Sequence, residues 1–224
     1  MSALQACLFD LDGVIVDTAQ YHYIAWRELA QRYGFDLTLE QNELLKGIGR
    51  MESLDIILKL GEVDLPMEER VVQATIKNER YLELCQQIVP SDALPGVHDF
   101  LKELQDNDIK IGLGSASKNA PLILERLQMT PVFEALIDGN RVTKGKPDPQ
   151  VFLLGAQELG VDPAATIVFE DALAGVQAGN AAGMKTVGIG QVDVLSEADM
   201  VLPGFEALQL ASLTEALGFE RIRR

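Results

Sequence analysis

Short apolar runs alternate with longer amphipathic stretches along most of this 224-residue chain. The apolar runs, bounded by polar or small residues, predict buried strands at 6–9, 109–114, 136–137, 166–169, 185–189 and 200–202. Apolar residues at three- and four-residue spacing predict helices at 97–105, 120–127, 149–159 and 172–182. Alternating strands and helices are typical of a parallel sheet with helices on both faces. The pattern therefore predicts an α/β protein with a Rossmann-like core.

The alternation is interrupted between residues 18 and 90, where strand patterns disappear. Helical patterns replace them at 22–33, 53–60 and 68–85. We therefore predict a core formed by residues 1–17 and 91–224, with a helical cap domain of residues 18–90 inserted after the first strand. Because the ligand crevice of an open parallel sheet lies at the carboxyl ends of its strands, this insertion would cover the crevice as a lid.

Composition narrows the class of protein. The hydrophobic fraction of 47% and the charged fraction of 24% are ordinary for a globular protein. The net charge of −15 disfavours nucleic acid and anionic membranes as partners, because phosphate binding needs clustered Lys and Arg. Cys7 and Cys85 lie far apart among apolar residues, which favours free thiols in a reducing compartment. No leader is apparent and no run approaches the roughly 20 apolar residues of a membrane span, so we expect a cytoplasmic protein. We also expect a monomer, although no sequence pattern determines the oligomeric state.

The first predicted strand ends in Asp10-Leu11-Asp12-Gly13. Gly13 lets the backbone turn sharply, because a residue without Cβ adopts positive φ readily. Two carboxylates beside a buried strand are costly unless something offsets their charge, usually a metal ion. The alternative is that Asp12 merely opens a turn and Asp10 faces water.

The second predicted strand runs into Ser115-Ala116-Ser117-Lys118-Asn119. A small hydroxyl followed by a helix start supplies hydroxyl and backbone N–H donors to an anion. The alternative is that Ser117 only caps the helix.

Two more segments carry charge at predicted strand ends. Lys146 precedes Pro147, and a residue held extended before proline suits a fixed positive charge aimed into a cleft. Glu170 and Asp171 follow the strand 166–169. Taken alone, the segment with Lys146 could be a charged turn, and Glu170 and Asp171 could lie at a helix N-terminus, where acids are favoured. Taken together, the four segments predict an oxygen-only Mg²⁺ site with a lysine and a serine beside it.

This constellation resembles the haloacid dehalogenase superfamily of phosphotransferases with an inserted helical cap, over nearly the whole chain. Asp10 to Val14 resembles the first superfamily motif, Ser115 the second, Lys146-Pro147 the third and Glu170-Asp171 the fourth. Within the superfamily, the chain is most similar to the β-phosphoglucomutase family. The positions that carry this narrower likeness are Thr18, His22, Trp26, Leu45, Lys46, Gly47, Ile48, Arg50, Ser53 and the segment Ser115 to Asn119.

The resemblance implies a role for each core motif. Asp10 would attack phosphorus and form an aspartyl-phosphate, and Asp12 would exchange protons with the leaving and incoming oxygens. Ser115 and Lys146 would stabilise charge on the transferring phosphoryl group. The implied Mg²⁺ ligands are Asp10, the backbone carbonyl of Asp12, and Asp171, with Glu170 close to the ion or just outside its ligands.

The resemblance also implies roles for the inserted segment. Arg50 would bind a second, non-reacting phosphate together with Ser117, Lys118 and Asn119, since guanidinium binds phosphate through paired hydrogen bonds. Thr18 and His22 join the implied catalytic set, His22 by positioning Asp12. The remaining implied substrate contacts are Trp26, Lys46, Gly47, Ile48, Ser53, Lys77, Ser115 and Ala116. Alternatives stay open for three residues: His22 as an ordinary surface or core histidine, Trp26 as cap packing, and Lys77 on a solvated helix face.

The implied reaction is the Mg²⁺-dependent conversion of β-D-glucose 1-phosphate to glucose 6-phosphate through glucose 1,6-bisphosphate. A sugar-phosphate phosphatase on the same scaffold is the nearest alternative, because the same residues serve both reactions. A phospho-accepting receiver domain needs only about 120 residues and no cap, so the insertion counts against it. A dinucleotide-binding oxidoreductase is disfavoured because no glycine-rich fingerprint follows the first strand.

Overall fold

A computed structural model describes residues 3–45 and 48–220. Its centre is a parallel sheet in the order β3-β2-β1-β4-β5-β6. The strands are β1 (Ala6–Phe9), β2 (Lys110–Gly114), β3 (Ala135–Ile137), β4 (Thr166–Glu170), β5 (Lys185–Ile189) and β6 (Met200–Leu202). The strand order changes direction beside β1, so the ends of β1 and β4 border the crevice expected in folds of this type.

Helices cover both faces of this sheet, and residues of β1 alternate between two apolar clusters. Cys7 and Phe9 pack on one face, whereas Ala6 and Leu8 pack on the other, as expected for a strand buried on both sides. The α-helices of the core are α5 (Val97–Asp106), α6 (Ala120–Arg126), α7 (Gln150–Leu159), α8 (Leu173–Ala181) and α9 (Leu210–Ala216). The predicted α/β fold with a Rossmann-like sheet is confirmed.

Between β1 and β2 the chain forms four further α-helices within the described residues. They are α1 (Ala19–Arg32), α2 (Leu39–Glu43), α3 (Arg50–Leu60) and α4 (Met67–Cys85). These helices have an apolar cluster of their own, which includes Trp26, Leu54 and Ala74. The two segments that join them to the sheet run side by side, since Leu94 N–H donates to the Ile15 carbonyl at 2.8 Å. The division at residues 18 and 90 stays a prediction.

Two helices, α2 and α9, were not predicted from the apolar pattern. α2 has only five residues, which is too short for helical periodicity to stand out, whereas the seven-residue α9 is as long as α6 and was missed. A different signal does mark α2: Thr38 and Gln41 form a capping box, in which each side chain accepts from the other residue's backbone N–H. In the described part of the chain, no helix has the length and apolarity needed to cross a membrane.

Candidate active site

The register between β1 and β4 places two acids at the same edge of the sheet. Phe9 pairs with Phe169, and their rings stack with centroids 4.8 Å apart. Asp10 N–H then donates to the Phe169 carbonyl at 2.9 Å. Asp10 and Glu170, the next residues along the two strands, are therefore neighbours.

A buried lysine lies between these acids. Lys146 Nζ is 2.6 Å from Asp10 Oδ1 and also pairs with Glu170 Oε1. Burial opposes the charge of Lys146, but the carboxylates of Asp10 and Glu170 raise its pKa above the ordinary value. Burial raises the pKa of Glu170 in turn. The prediction that Lys146 lies at a strand end is wrong. The residue lies in the loop between β3 and α7, where its peptide bond to Pro147 is cis.

Three carboxylates form a cluster that could hold a metal ion. Oxygen atoms of Asp10, Glu170 and Asp171 all lie within 4.8 Å of one another. Two glycines make room for this cluster: a Cβ on Gly13 would overlap the Asp171 carboxylate, and one on Gly175 would overlap that of Glu170. The φ of 78° at Gly13 is the positive angle expected from the sequence. An all-oxygen donor set of this kind fits a small, hard divalent cation.

The carboxylate of Asp12 is not part of that cluster and is bound instead by the residue at the start of the inserted segment. This carboxylate accepts a hydrogen bond from the hydroxyl of Thr18, the residue that precedes α1. Removal from water and, to a smaller extent, the neighbouring Asp10 carboxylate raise the pKa of Asp12 to about 7, against the opposing effect of the Thr18 hydrogen bond. A carboxyl group with a pKa near neutrality can both give and take a proton at physiological pH.

Basic and aromatic side chains of α1 and α4 meet beside Thr18. Lys77 Nζ lies 2.7 Å from His22 Nδ1 and 4.2 Å from the centre of the Trp26 ring. Lys77 is 3% exposed, so its alternative placement on a solvated helix face is wrong. Burial, followed by the charge of Arg50, lowers the pKa of Lys77 to about 7. Burial and the charges of Lys77 and Arg50 likewise lower the pKa of His22.

The loop after β2 orders its own backbone. The buried Ser115 accepts from Ser117 N–H at 3.1 Å, and the Ser117 hydroxyl accepts from Asn119 N–H at 3.2 Å. Because α6 begins only at Ala120, with Asn119 in the N-cap position, the alternative that Ser117 caps this helix is wrong. Ala116 and Ser117 are half-buried and Lys118 is exposed.

The remaining predicted residues lie around the start of α3. Arg50 is its first residue and is half-buried, as is Ile48, whereas Ser53 is buried. Arg50 lies close enough to Lys77 and His22 to lower the pKa of both. Lys46 and Gly47, which were predicted to bind substrate, lie outside the described residues.

Two residues of α4 reach the site without having been predicted. Tyr81 donates to Thr18 Oγ1 at 3.2 Å, and Asn78 accepts from Asn119 Nδ2 at 2.8 Å. Tyr81 follows Lys77 by four positions, which places both on one face of the helix. That spacing is the signal from which Tyr81 could have been found, whereas no local pattern marks Asn78.

The parallel sheet, the helices inserted after β1 and the acidic cluster between β1 and β4 define a haloacid dehalogenase-like hydrolase. Residues 7–189 match that family, and the chain belongs to it.

Individual members show a narrower likeness. The chain is 42% identical to the β-phosphoglucomutase of Bacillus subtilis over 222 residues, which are 98% of each protein. It is similar to the crystal structure of β-phosphoglucomutase from Clostridium difficile, with a TM-score of 0.93 and 43% identity over 96% of this chain and 97% of that one. It is also 34% identical to a fructose-1-phosphate phosphatase of Escherichia coli, over 81% of this chain and 94% of that protein.

Proposed function

We propose that this protein is a Mg²⁺-dependent β-phosphoglucomutase that interconverts β-D-glucose 1-phosphate and glucose 6-phosphate through glucose 1,6-bisphosphate. The observation that carries the proposal is the placement of the two acids of one short loop. Asp10 lies in the acidic cluster beside Lys146, while Asp12 is held by Thr18 of the inserted segment. The likeness to two β-phosphoglucomutases over nearly the whole chain supports the sugar and the type of reaction. A cytoplasmic location and a monomeric state stay predictions.

The metal ion would be held by carboxylates of Asp10 and Asp171 and by the backbone carbonyl of Asp12, with Glu170 beside it. When bound, Mg²⁺ would offset the repulsion between this acidic cluster and the phosphoryl oxygens of the substrate. Lys146 supplies a fixed positive charge to the same region, and its two ion pairs orient the carboxylates of Asp10 and Glu170. The hydroxyl of Ser115 would donate to a phosphoryl oxygen.

In the first step, the Asp10 carboxylate attacks the phosphorus at C1 of glucose 1,6-bisphosphate, and an aspartyl-phosphate forms as the bond from phosphorus to the sugar oxygen breaks and glucose 6-phosphate departs. Asp12 gives its proton to that departing oxygen. In the second step, the free 6-hydroxyl of β-D-glucose 1-phosphate attacks the phosphorus of the aspartyl-phosphate and Asp12 takes the hydroxyl proton. The bond from phosphorus to Asp10 breaks, which forms glucose 1,6-bisphosphate and restores the Asp10 carboxylate. The pKa of about 7 at Asp12 suits both directions of this exchange.

The bisphosphate formed in the second step must turn around before its other phosphate can react with Asp10, so either phosphate must fit the same distal site. We assign this site to Arg50 together with Ser117, Lys118 and Asn119. The basic residues Arg50, Lys77 and His22 come from the inserted segment, which we propose acts as a cap of residues 18–90. Its closure would exclude water from the aspartyl-phosphate.

A sugar-phosphate phosphatase is the second candidate, and the 34% identity to a fructose-1-phosphate phosphatase favours it. The two functions differ in whether water or a sugar hydroxyl accepts the phosphoryl group. The test is to incubate the protein with β-D-glucose 1-phosphate, Mg²⁺ and a trace of glucose 1,6-bisphosphate, and to measure glucose 6-phosphate and free phosphate separately. A mutase forms mainly glucose 6-phosphate, whereas release of phosphate in equal amount to substrate loss would identify a phosphatase.

A further inference from the structure

Tyr81 occupies a buried position between the two ends of the inserted segment. It lies near the end of α4 and is fully buried, and its hydroxyl lies 3.2 Å from the hydroxyl of Thr18 just before α1. Thr18 in turn bonds the carboxylate of Asp12. The three side chains form a continuous chain of hydrogen bonds, which we call the Tyr81 relay.

The direction of this relay follows from the number of protons available. The Thr18 hydroxyl donates its one proton to Oδ1 of Asp12, which leaves the second carboxyl oxygen to carry the proton that Asp12 transfers. The oxygen of Thr18 then has only lone pairs to offer, and the Tyr81 hydroxyl must be the donor. The thiol of Cys85 lies near enough to the Tyr81 hydroxyl for each group to shift the pKa of the other, but sulfur is the weaker acceptor. Tyr81 therefore fixes the orientation of the Thr18 hydroxyl toward Asp12.

The ring of Tyr81 contacts two further residues of the proposed site. His22 stacks on it with centroids 4.0 Å apart, and Lys77 Nζ lies 5.0 Å from its centre. A phenylalanine would keep both ring contacts and lose only the hydroxyl, which makes the relay separable from packing.

We propose that Tyr81 is a positioning residue, which holds Asp12 through Thr18 in the orientation needed for proton transfer to and from a sugar oxygen. The inference rests on the proposed function insofar as Asp12 is taken as the proton donor. Because Tyr81 belongs to α4 and Asp12 to the loop after β1, the relay makes the placement of Asp12 depend on the position of the inserted helices.

The test compares two phosphoryl donors in single-turnover phosphorylation of Asp10. The sugar oxygen of glucose 1,6-bisphosphate needs a proton as it leaves, whereas the acetate released by acetyl phosphate is a weak base and needs none. In Tyr81→Phe, phosphorylation by the bisphosphate should slow by roughly 10- to 100-fold, a part of the full contribution of a general acid. Phosphorylation by acetyl phosphate should stay within about twofold of the unmodified protein. Equal slowing with both donors, or with neither, would overturn the proposal.

A matched control and a double variant complete the experiment. The control is Tyr23→Phe on α1, which removes the hydrogen bond from the Tyr23 hydroxyl to the Leu37 carbonyl at 3.1 Å. This variant should leave the rates of phosphorylation by both donors unchanged. If Tyr81 acts through Thr18, the hydroxyl of Tyr81 has no effect once Thr18 is replaced. Phosphorylation by the bisphosphate in the double variant Thr18→Val, Tyr81→Phe should therefore be within about twofold of its rate in Thr18→Val alone. A full additional loss would show that Tyr81 acts by another route and would refute the relay.

The outcome is distinguishable from failure of the proposed function. If the unmodified protein releases phosphate and forms no glucose 6-phosphate, the mutase assignment fails. The leaving sugar oxygen of a phosphatase substrate still needs a proton, so glucose 6-phosphate then replaces the bisphosphate as donor. The same ratio of rates supports or refutes the relay in that case.

Discussion

Asn119 of the core donates a hydrogen bond of 2.8 Å from Nδ2 to Oδ1 of Asn78 on α4. Asn78 directly follows Lys77, and Asn119 ends the segment that we assign to the second phosphate. The bond therefore joins the inserted helices to the core at the proposed distal site. It offers one means by which binding there could be coupled to the position of the cap.

Asn78→Ala should lower kcat/KM for β-D-glucose 1-phosphate more than it lowers kcat. The lost hydrogen bond stabilises the joined position of cap and core by about 0.5–1.5 kcal/mol, which corresponds to roughly 2- to 13-fold in kcat/KM. Initial rates over a range of substrate concentrations measure both constants. Asn107→Ala is the control, because Asn107 loses a similar bond to the Glu103 carbonyl in α5. The same loss in both variants would contradict a specific role for Asn78.

Activity should require Mg²⁺, because the carboxylates of Asp10, Glu170 and Asp171 repel a phosphate dianion. Excess chelator should abolish formation of glucose 6-phosphate and added Mg²⁺ should restore it. Ca²⁺ should inhibit instead, since it is larger and accepts looser geometry. Undiminished turnover in excess chelator would exclude the metal site.

Asp10→Asn should abolish formation of the aspartyl-phosphate and lower kcat by several orders of magnitude, because the nucleophile is lost. Asp12→Asn should lower kcat by roughly 10²- to 10⁴-fold through loss of proton transfer. The two variants differ in a second measurement: after mixing with acetyl phosphate, the acid-quenched Asp12→Asn protein should still carry phosphate. Phosphate on the Asp10→Asn protein would contradict the assignment of the nucleophile.

The residues at strand ends could be predicted because each strand is a short buried run that stops at a charged or hydroxyl side chain. Asp10, Ser115 and Glu170 are predicted in this way from the sequence alone. Parallel pairing of β1 with β4 then places Asp10 beside Glu170.

Contacts within the inserted segment could not be predicted in the same way. Tyr81 and Thr18 are 63 positions apart, and their contact depends on how α1 and α4 pack, which no local pattern records. The burial of Lys77 has the same origin: its helix pattern alone is compatible with a solvated face, and the side chain is buried because His22 of α1 packs against it.

Lys77 should make the stability of the protein depend on pH. Its pKa is lowered to about 7 by burial and by Arg50, whereas an unfolded chain keeps lysine near its usual value of about 10.4. Between these values the unfolded state binds the additional proton, so stability contributed at this site rises with pH. Methionine does not titrate, so the stability of Lys77→Met lacks this dependence on pH. The difference in unfolding free energy, Lys77→Met minus unmodified protein, should therefore fall by roughly 2 kcal/mol between pH 7 and 9.

Urea denaturation at both pH values measures this difference. Lys102→Met is the control, since Lys102 is exposed and paired with Asp106 one turn along its helix, and its effect should not depend on pH in this range. A constant difference for Lys77→Met would mean that Lys77 keeps its proton in the folded protein.

Arg50 separates a mutase from a general phosphatase, because only a mutase must hold a second phosphate while the first one reacts. In Arg50→Ala, formation of glucose 6-phosphate should fall by roughly 100-fold, since binding energy from the remote phosphate aligns the reacting groups. Hydrolysis of acetyl phosphate, which has no second phosphate, should fall far less. Arg50→Lys should recover part of the loss, as an ammonium replaces the charge but not the paired hydrogen bonds of guanidinium.

The measurement is the ratio of glucose 6-phosphate formation to acetyl phosphate hydrolysis in each variant. Arg27→Ala serves as the control within the inserted helices, because Arg27 pairs with Asp36 on the exposed side of α1 and should leave the ratio unchanged. If Arg50→Ala lowers both reactions equally, or lowers neither, Arg50 does not bind a second phosphate. The remaining residues of the site would then favour hydrolysis of a singly phosphorylated sugar, since Asp10, Asp12 and Lys146 serve that reaction without a distal site.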